Sequence, residues 1–269
     1  MTNRPNLALT IAGSDPSGGA GLQADLSVFA RHGLRGAGVV TALTVQSARS
    51  VRSAQFVPSD QVVAQARAVL EDHAVVAAKM GMLGESETPA ALARLWRELA
   101  GSLPLVIDPV LVSSSGAPLL AAGGLEALRE ELLPLATVIT PNLAEAAALL
   151  GWEHPLDGSV DAAAGAASAL LEFGPSCVVI TGGHAEGPEN ASEVVDVVAF
   201  ESGEITQLRG ARIATEHTHG TGCLFSAGVT SALATGASLR GALDHGRACV
   251  ARGLHSGREG AVWLDAVPG

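Results

Sequence analysis

Cys223 follows a Gly-x-Gly turn made by Gly220, Thr221 and Gly222, and an apolar, Ala-rich run from Leu224 to Leu233 follows it. A glycine turn that opens a helix leaves several backbone N–H groups without an intrahelical partner. Together with the helix dipole these groups form an anion pocket. A thiol at the mouth of that pocket puts a reactive group beside a stabiliser of negative charge, the layout needed to move a phosphoryl group onto a hydroxyl. A helix N-terminus can lower a cysteine pKa from about 8.5 to roughly 3.5–7.5. Cys223 is therefore expected to be a usable base in the free protein, although bound phosphates would push its pKa back up. Two other readings stay open on spacing alone. One is a glycine-rich connection with a buried thiol. The other is a zinc site from His217, His219 and Cys223, which matches no standard spacing and has a flexible Gly-Thr-Gly inside the ligand set.

Further polar residues fall at intervals along the chain. Asn142 and Glu145 read as a capping box, with Glu145 reaching back to its N-cap, or as groups aimed at a Mg²⁺–phosphate complex. Gln46 closes an apolar run and offers both a donor and an acceptor to a heterocycle edge. Asp25 reads as a solvated or capping carboxylate. Lys79 is the single lysine beside fifteen arginines, and it reads either as a surface residue or as one with a specific role. Gly19, Gly21 and Ala24 can be forced into a dinucleotide fingerprint. The glycines follow a long loop and no acidic residue closes the second strand, which counts against that reading. The chain has no Walker lysine motif, so bound phosphates would need a different cradle.

These residues need elements to hold them. Short apolar runs at Leu7–Ala12, Gly36–Gln46, Val75–Met80, Leu105–Asp108, Thr137–Thr140 and Cys177–Thr181 read as strands. Helical periodicity covers Leu22–His32, Ser59–Asp72, Ser86–Ala100 with Ser86 as N-cap, Gly124–Leu133, Leu143–Leu150, Val160–Phe173 and Leu239–His255. Gln55–Pro58 reads as a short extra strand, and Glu193–Phe200 with Glu204–Arg209 reads as a hairpin turning at Ser202-Gly203. Alternation of this kind predicts a single α/β domain over residues 1–269, a three-layer α/β/α sandwich with a mainly parallel central sheet. Ligands in such sheets bind beyond the carboxyl ends of the strands. Gly13–Gly21, Gln46, Gly81-Met82, Asp108, Asn142 and Gly182-Gly183 all fall there.

Composition narrows the partners. The 269 residues carry a net charge of −11, which argues against a nucleic-acid or anionic-membrane surface. An anionic substrate would need backbone amides or a metal ion. Three cysteines without a CxxC pair suggest a reducing compartment. The first apolar run is too short for a signal peptide, and none approaches the ~18 residues of a membrane span. A cytoplasmic protein is expected.

The chain resembles the hydroxymethylpyrimidine/phosphomethylpyrimidine kinases of thiamin biosynthesis, within the ribokinase-like superfamily. The motifs are Leu9-Thr-Ile-Ala-Gly-Ser-Asp-Pro-Ser-Gly-Gly-Ala-Gly-Leu-Gln-Ala-Asp25, Thr41-Ala-Leu-Thr-Val-Gln46, Lys79-Met-Gly-Met-Leu83, Asp108-Pro-Val110, Thr140-Pro-Asn-Leu-Ala-Glu145, Gly182-Gly-His184 and Thr218-His-Gly-Thr-Gly-Cys223. The resemblance implies a ribokinase-like fold and two ATP-dependent phosphorylations, of 4-amino-5-hydroxymethyl-2-methylpyrimidine and then of its monophosphate. It implies that Gly13, Asp25, Gln46 and Met82 line the pyrimidine pocket. It places Asp108, Asn142, Glu145, Thr181, Gly183 and Thr218 toward the nucleotide, with Asp108 and Glu145 on Mg²⁺. Gly220–Cys223 becomes the anion hole, with Cys223 as candidate base. It also implies a homodimer. Ser114 and Thr181 stand where the family commonly carries lysine, and His217 and Ser47 replace usual asparagines. Two competing readings are a pyridoxal kinase, alone or as a dual-specificity enzyme, and a pyrimidine-binding protein without turnover. The loop Ser47–Ala54 is the expected closing segment.

Overall fold

A computed structural model describes residues 6–113, 116, 118–154, 156–183 and 192–264. Its centre is one nine-stranded sheet in the order β3-β2-β1-β4-β5-β6-β7-β8-β9. The strands are β1 (Leu7–Ser14), β2 (Arg35–Ser47), β3 (Ser50–Phe56), β4 (Val75–Met80), β5 (Leu105–Ile107), β6 (Val138–Ile139), β7 (Cys177–Ile180), β8 (Glu193–Phe200) and β9 (Ile205–Ala211). From β2 to β7 neighbouring strands are parallel, while β3, β8 and β9 pair antiparallel at the two edges. Strands β1, β4 and β5 are apolar and buried because helices cover both faces.

The helices are α1 (Gly21–Arg31), α2 (Ser59–Asp72), α3 (Thr88–Leu99), α4 (Gly124–Ala127), α5 (Leu143–Leu150), α6 (Val160–Leu171), α7 (Thr221–Ala234) and α8 (Leu239–His255). The chain steps from β1 through α1 to β2 on one side of β1. It then returns past β1 to β4 and moves the other way. Right-handed crossovers in opposite directions put their helices on opposite faces. Val28 and Phe29 of α1 therefore share a core with Leu224 and Ala227 of α7 and Cys249 of α8. Leu92 and Trp96 of α3, Leu149 of α5 and Leu170 of α6 fill the core on the other face.

The reversal between β1 and β4 is a topological switch point, where a crevice opens beyond the strand ends. Helix α7 runs over the middle of the sheet and is buried from Leu224 to Ser231. Its small residues let α8 approach closely: a Cβ on Gly228 would lie 3.1 Å from Gly246 Cα and 3.1 Å from Cys249 Sγ. That packing fixes where the N-terminus of α7 points.

Local expectations need four corrections. Helix α3 starts at Thr88 with Glu87 as N-cap, and the Ser86 hydroxyl bonds Glu87 instead. The span 124–133 is one short α-helix, then a π turn at Leu128–Leu132 and a 3₁₀ turn at Leu133–Leu135. Pro134 lacks an N–H and its ring crowds the preceding turn, so a regular helix does not continue through it. Strand β3 is longer than the expected short strand, and the segment expected to be a loop at Ser47–Ala54 is the tip of the β2–β3 hairpin.

Candidate functional site

The site is assembled from strand ends at the switch point. Gly220 caps α7 in the left-handed region at φ 89°. A Cβ there would overlap the Gly19 carbonyl oxygen, so only glycine lets the β1 loop and the helix start meet. Thr221 N–H donates to Thr218 O at 3.3 Å. The N–H groups of Gly222 and Cys223 have no partner among the described residues, and Gly222 is exposed. Free N–H groups at a helix start are what an anion pocket requires. Gly21 N–H donates to Cys223 Sγ at 3.4 Å. A Cβ on Gly222 would lie 3.7 Å from Asp108 Oδ2, so the carboxylate at the end of β5 borders the pocket.

Beneath it lies a buried charge cluster. Lys79 and Asp25 are both fully buried, with Nζ 2.5 Å from Asp25 Oδ1. Thr10 Oγ1 donates to the other Asp25 oxygen at 2.7 Å. Lys79 Nζ is also 4.0 Å from Asp108 Oδ2, and Ser226 Oγ donates to that oxygen at 2.9 Å. Burial disfavours the Lys79 charge, but the Asp25 carboxylate, with Asp108 further off, holds its pKa above the ordinary lysine value. Burial raises the Asp108 pKa despite Lys79 and Ser226. Burial also pushes the Cys223 thiol up to about 12; Lys79 opposes this, while Asp25 and Asp108 add to it. The expected low thiol pKa is thus reversed. The helix N-terminus faces the right way, but desolvation and two neighbouring carboxylates outweigh it.

Asn142 and Glu145 form the capping box at the start of α5. Asn142 Oδ1 accepts from Ala144 N and Glu145 N at 2.9 Å each, and Glu145 Oε2 accepts from Asn142 N at 2.9 Å. Only one Glu145 oxygen is used by the cap. Burial, with Asp108 next, pushes the Glu145 carboxyl up to about 8. Two buried carboxylates, one of which raises the other, offer oxygen donors of the type a hard divalent cation takes. Thr181 N donates to Pro141 O at 2.9 Å, which seats Thr181 beside Asn142. Gly182 N donates to Asp196 Oδ1 at 2.8 Å, Arg247 holds that same buried aspartate, and Gly183 beyond it is exposed.

The β1 loop makes the opposite wall. Asp15 is 2% exposed, and its carboxylate accepts from Ser17 N, Ser17 Oγ and Ala20 N. It also lies 2.8 Å from His219 Nε2; a carboxylate only accepts, so that nitrogen carries the proton. Burial works against the Asp15 charge, yet the bonds from His219 and Ser17 hold its pKa below the ordinary value. Gln46 Nε2 is 3.3 Å from the same His219 nitrogen. Met82 packs with Ala42 and Leu119, and a Cβ on Gly13 would come within 2.7 Å of its sulfur. Gly13 and Met82 thus meet at the strand ends by the crevice mouth, and Gln46 lies with His219 and Asp15. Beside it, a cavity of about 420 Å³ is lined by Ala48, Arg49, Thr218 and His219, between the hairpin tip and the approach to α7.

A sequence profile of the family described as phosphomethylpyrimidine kinase matches residues 15–260. The chain belongs to the phosphomethylpyrimidine kinase family. It is 42% identical to the hydroxymethylpyrimidine/phosphomethylpyrimidine kinase of Rhizobium meliloti (strain 1021) over 242 residues, 90% of this chain and 88% of that protein. The solved phosphomethylpyrimidine kinase of Clostridium difficile 630 superposes with a TM-score of 0.76 at 32% identity, covering 91% of this chain and 98% of that one. The pyridoxal kinase of Bacillus subtilis, solved as an ADP complex, gives a TM-score of 0.79 at 35% identity, over 93% and 91% of the two chains. The fold is the ribokinase-like α/β sandwich of the phosphomethylpyrimidine kinases.

In this phosphomethylpyrimidine kinase family member, three residue readings change. Asp25 does not line the mouth: it is fully buried and both its oxygens are taken by Lys79 and Thr10. Neither the solvated Asp25 nor the surface Lys79 is found. His217, His219 and Cys223 do not converge as zinc ligands; His217 Nδ1 accepts from Gly260 N at 3.0 Å and His219 turns to Asp15. Ser114 and His184 lie outside the described residues. Asp15 and Ser226 join the site although spacing alone singles out neither, while His219, a zinc candidate by spacing, is instead the partner of Asp15. Among the described residues, no helix is long and apolar enough to cross a membrane.

Proposed function

We propose that the chain phosphorylates 4-amino-5-hydroxymethyl-2-methylpyrimidine with ATP, then its monophosphate to the diphosphate, for thiamin biosynthesis. The observation that carries this reading is the unpartnered Gly222 and Cys223 N–H pair beside Asp108 at the switch point. Gly13, Gln46 and Met82 bound the mouth that would take the pyrimidine. Its hydroxymethyl would then face Cys223. Asn142, Thr181, Gly183 and Thr218 line the side that would take the nucleotide.

Asp108 and Glu145 would hold Mg²⁺, which would neutralise phosphate charge when bound. The elevation of Glu145 by burial and by Asp108 supports this, because a cation beside both carboxylates would relieve it. With the thiol pushed up to about 12, Cys223 is not a preformed thiolate base. Phosphoryl transfer has a loose transition state and needs positioning and charge stabilisation more than a strong base. We assign the anion-stabilising role to the backbone of Gly220–Cys223, with the thiol in contact with the accepting hydroxyl. The enzyme would act in the cytoplasm as a homodimer.

The likeness to pyridoxal kinases favours a second reading, pyridoxal as substrate, alone or beside the pyrimidine. One assay separates them. The hydroxymethylpyrimidine, its monophosphate and pyridoxal are offered side by side with ATP and Mg²⁺. Turnover of both pyrimidines with slow pyridoxal is expected. Pyridoxal turnover alone would move the chain to vitamin B6 salvage, and pyrimidine binding without ATP consumption would make it a binding protein.

A further inference from the structure

A second cluster of metal-ligating groups sits away from the anion pocket. His32 caps the C-terminal end of α1, and His245 and Cys249 lie one turn apart on α8. His245 Nε2 is 2.8 Å from His32 Nε2, and Cys249 Sγ is 3.8 Å from His32 Nε2. The three ligand atoms all lie within 4.8 Å of one another. Helix α1 has 11 residues, so about 16 Å separates this cluster from the end of α1 that touches Cys223.

The surroundings are those of a built site. His32 Nδ1 is 2.8 Å from Val28 O, and a carbonyl only accepts, so Nδ1 carries the proton. That fixes the tautomer and leaves the Nε2 lone pair directed at the cluster, as backbone carbonyls do behind metal-bound histidines. The two imidazoles meet edge to face at 74°, with both Nε2 atoms converging. Arg252 Nη2 donates to Cys249 Sγ at 3.3 Å, which supports a thiolate from behind. Cys249 is fully buried while both histidines are half-buried, so an ion can enter from the imidazole side.

Two imidazoles and a thiolate suit a borderline-soft divalent ion and would leave a fourth position for water. Tetrahedral bonds of about 2.0–2.1 Å to nitrogen and 2.3 Å to sulfur need the two nitrogens to separate by roughly half an ångström and the sulfur to move slightly inward. Both are side-chain rotations. We propose that His32, His245 and Cys249 bind one zinc-like divalent ion that joins α1 to α8, independently of the kinase site. On binding, the thiol proton leaves to solvent, the proton that His245 Nε2 shares with His32 Nε2 moves to His245 Nδ1, and S–metal and N–metal bonds form with no change of oxidation state.

The test titrates the full-length chain, stripped of metal by a chelator, with Co²⁺. A thiolate-to-cobalt charge-transfer absorption that saturates at one ion per chain is expected, and Zn²⁺ should displace it. Cys249→Ser should abolish that band. His32→Gln and His245→Gln should each weaken Co²⁺ binding by at least about 100-fold, since even outer-shell changes cost 10–100-fold. Zn²⁺ should raise the Tm of the wild type and leave the Tm of Cys249→Ser unchanged. A wild-type chain without the thiolate band, or a band that survives Cys249→Ser, overturns the proposal. If a histidine variant fails to fold by circular dichroism, the wild-type band and the Cys249→Ser result still decide.

Discussion

Glu145 is at once a capping group and a raised carboxyl, and its carboxylate accepts from the backbone of both Asn142 and Leu111. Its Oε2 closes the capping box at Asn142 N, while its burial near Asp108 raises the carboxyl to about 8. The ordinary value is 4.5, so between about 4.5 and 8 the folded chain holds a proton that the unfolded chain releases. Stability rises with pH only where the unfolded state binds more protons. Here it binds fewer, so the Glu145 contribution is full below 4.5 and is lost as pH rises through 8. Glutamine keeps the capping geometry without titrating. The Tm of the wild type should therefore fall more steeply from pH 5 to pH 8 than that of Glu145→Gln. Mg²⁺ with ATP should flatten the wild-type slope by favouring the ionised form. Parallel slopes for the two proteins would show that Glu145 does not titrate in this window. Asp108 is coupled to the same event, so the slope reports the pair.

The start of α7 is the element on which the proposed chemistry depends, and its glycines do different work. Gly220 sits at φ 89° with the Gly19 carbonyl where a Cβ would go. Gly220→Ala adds a left-handed alanine to a backbone overlap and should cost at least about 2 kcal/mol by denaturant unfolding. Gly222 has only Asp108 nearby, at 3.7 Å from a built Cβ. Gly222→Ala should leave unfolding within about 1 kcal/mol of the wild type. Its methyl would intrude on the anion pocket, so kcat should fall by on the order of 10²-fold. Equal turnover in Gly222→Ala and the wild type would remove the anion-pocket role from this helix start.

At the scale of the molecule, the β2–β3 hairpin outruns the sheet. Strand β1 pairs with β2 only as far as Leu43, and beyond it β2 has β3 alone. Leu43 and Val45 lie on one face of that ribbon at 55% and 56% exposure. A two-stranded ribbon is marginal alone, and a second copy of the chain is the cover we propose for this face. The wild type should sediment as a dimer and Leu43→Ser/Val45→Ser as a monomer; a monomeric wild type would reject the dimer. Much of this molecule was legible in the sequence because the causes are local. The 3.6 periodicity places α8, and continuous apolar runs place most parallel strands. Asn142 with Glu145 is its own capping box, and Gly220–Cys223 sets free N–H groups at a helix start within four adjacent residues. Tertiary structure decided what depends on burial and on groups far apart in the chain. Lys79 meets Asp25 across 54 residues and His32 meets His245 across 213, and no period encodes such meetings. The thiol of Cys223 reverses its expected shift for the same reason: the helix terminus is written in four neighbouring residues, but desolvation is set by the whole fold packed around them.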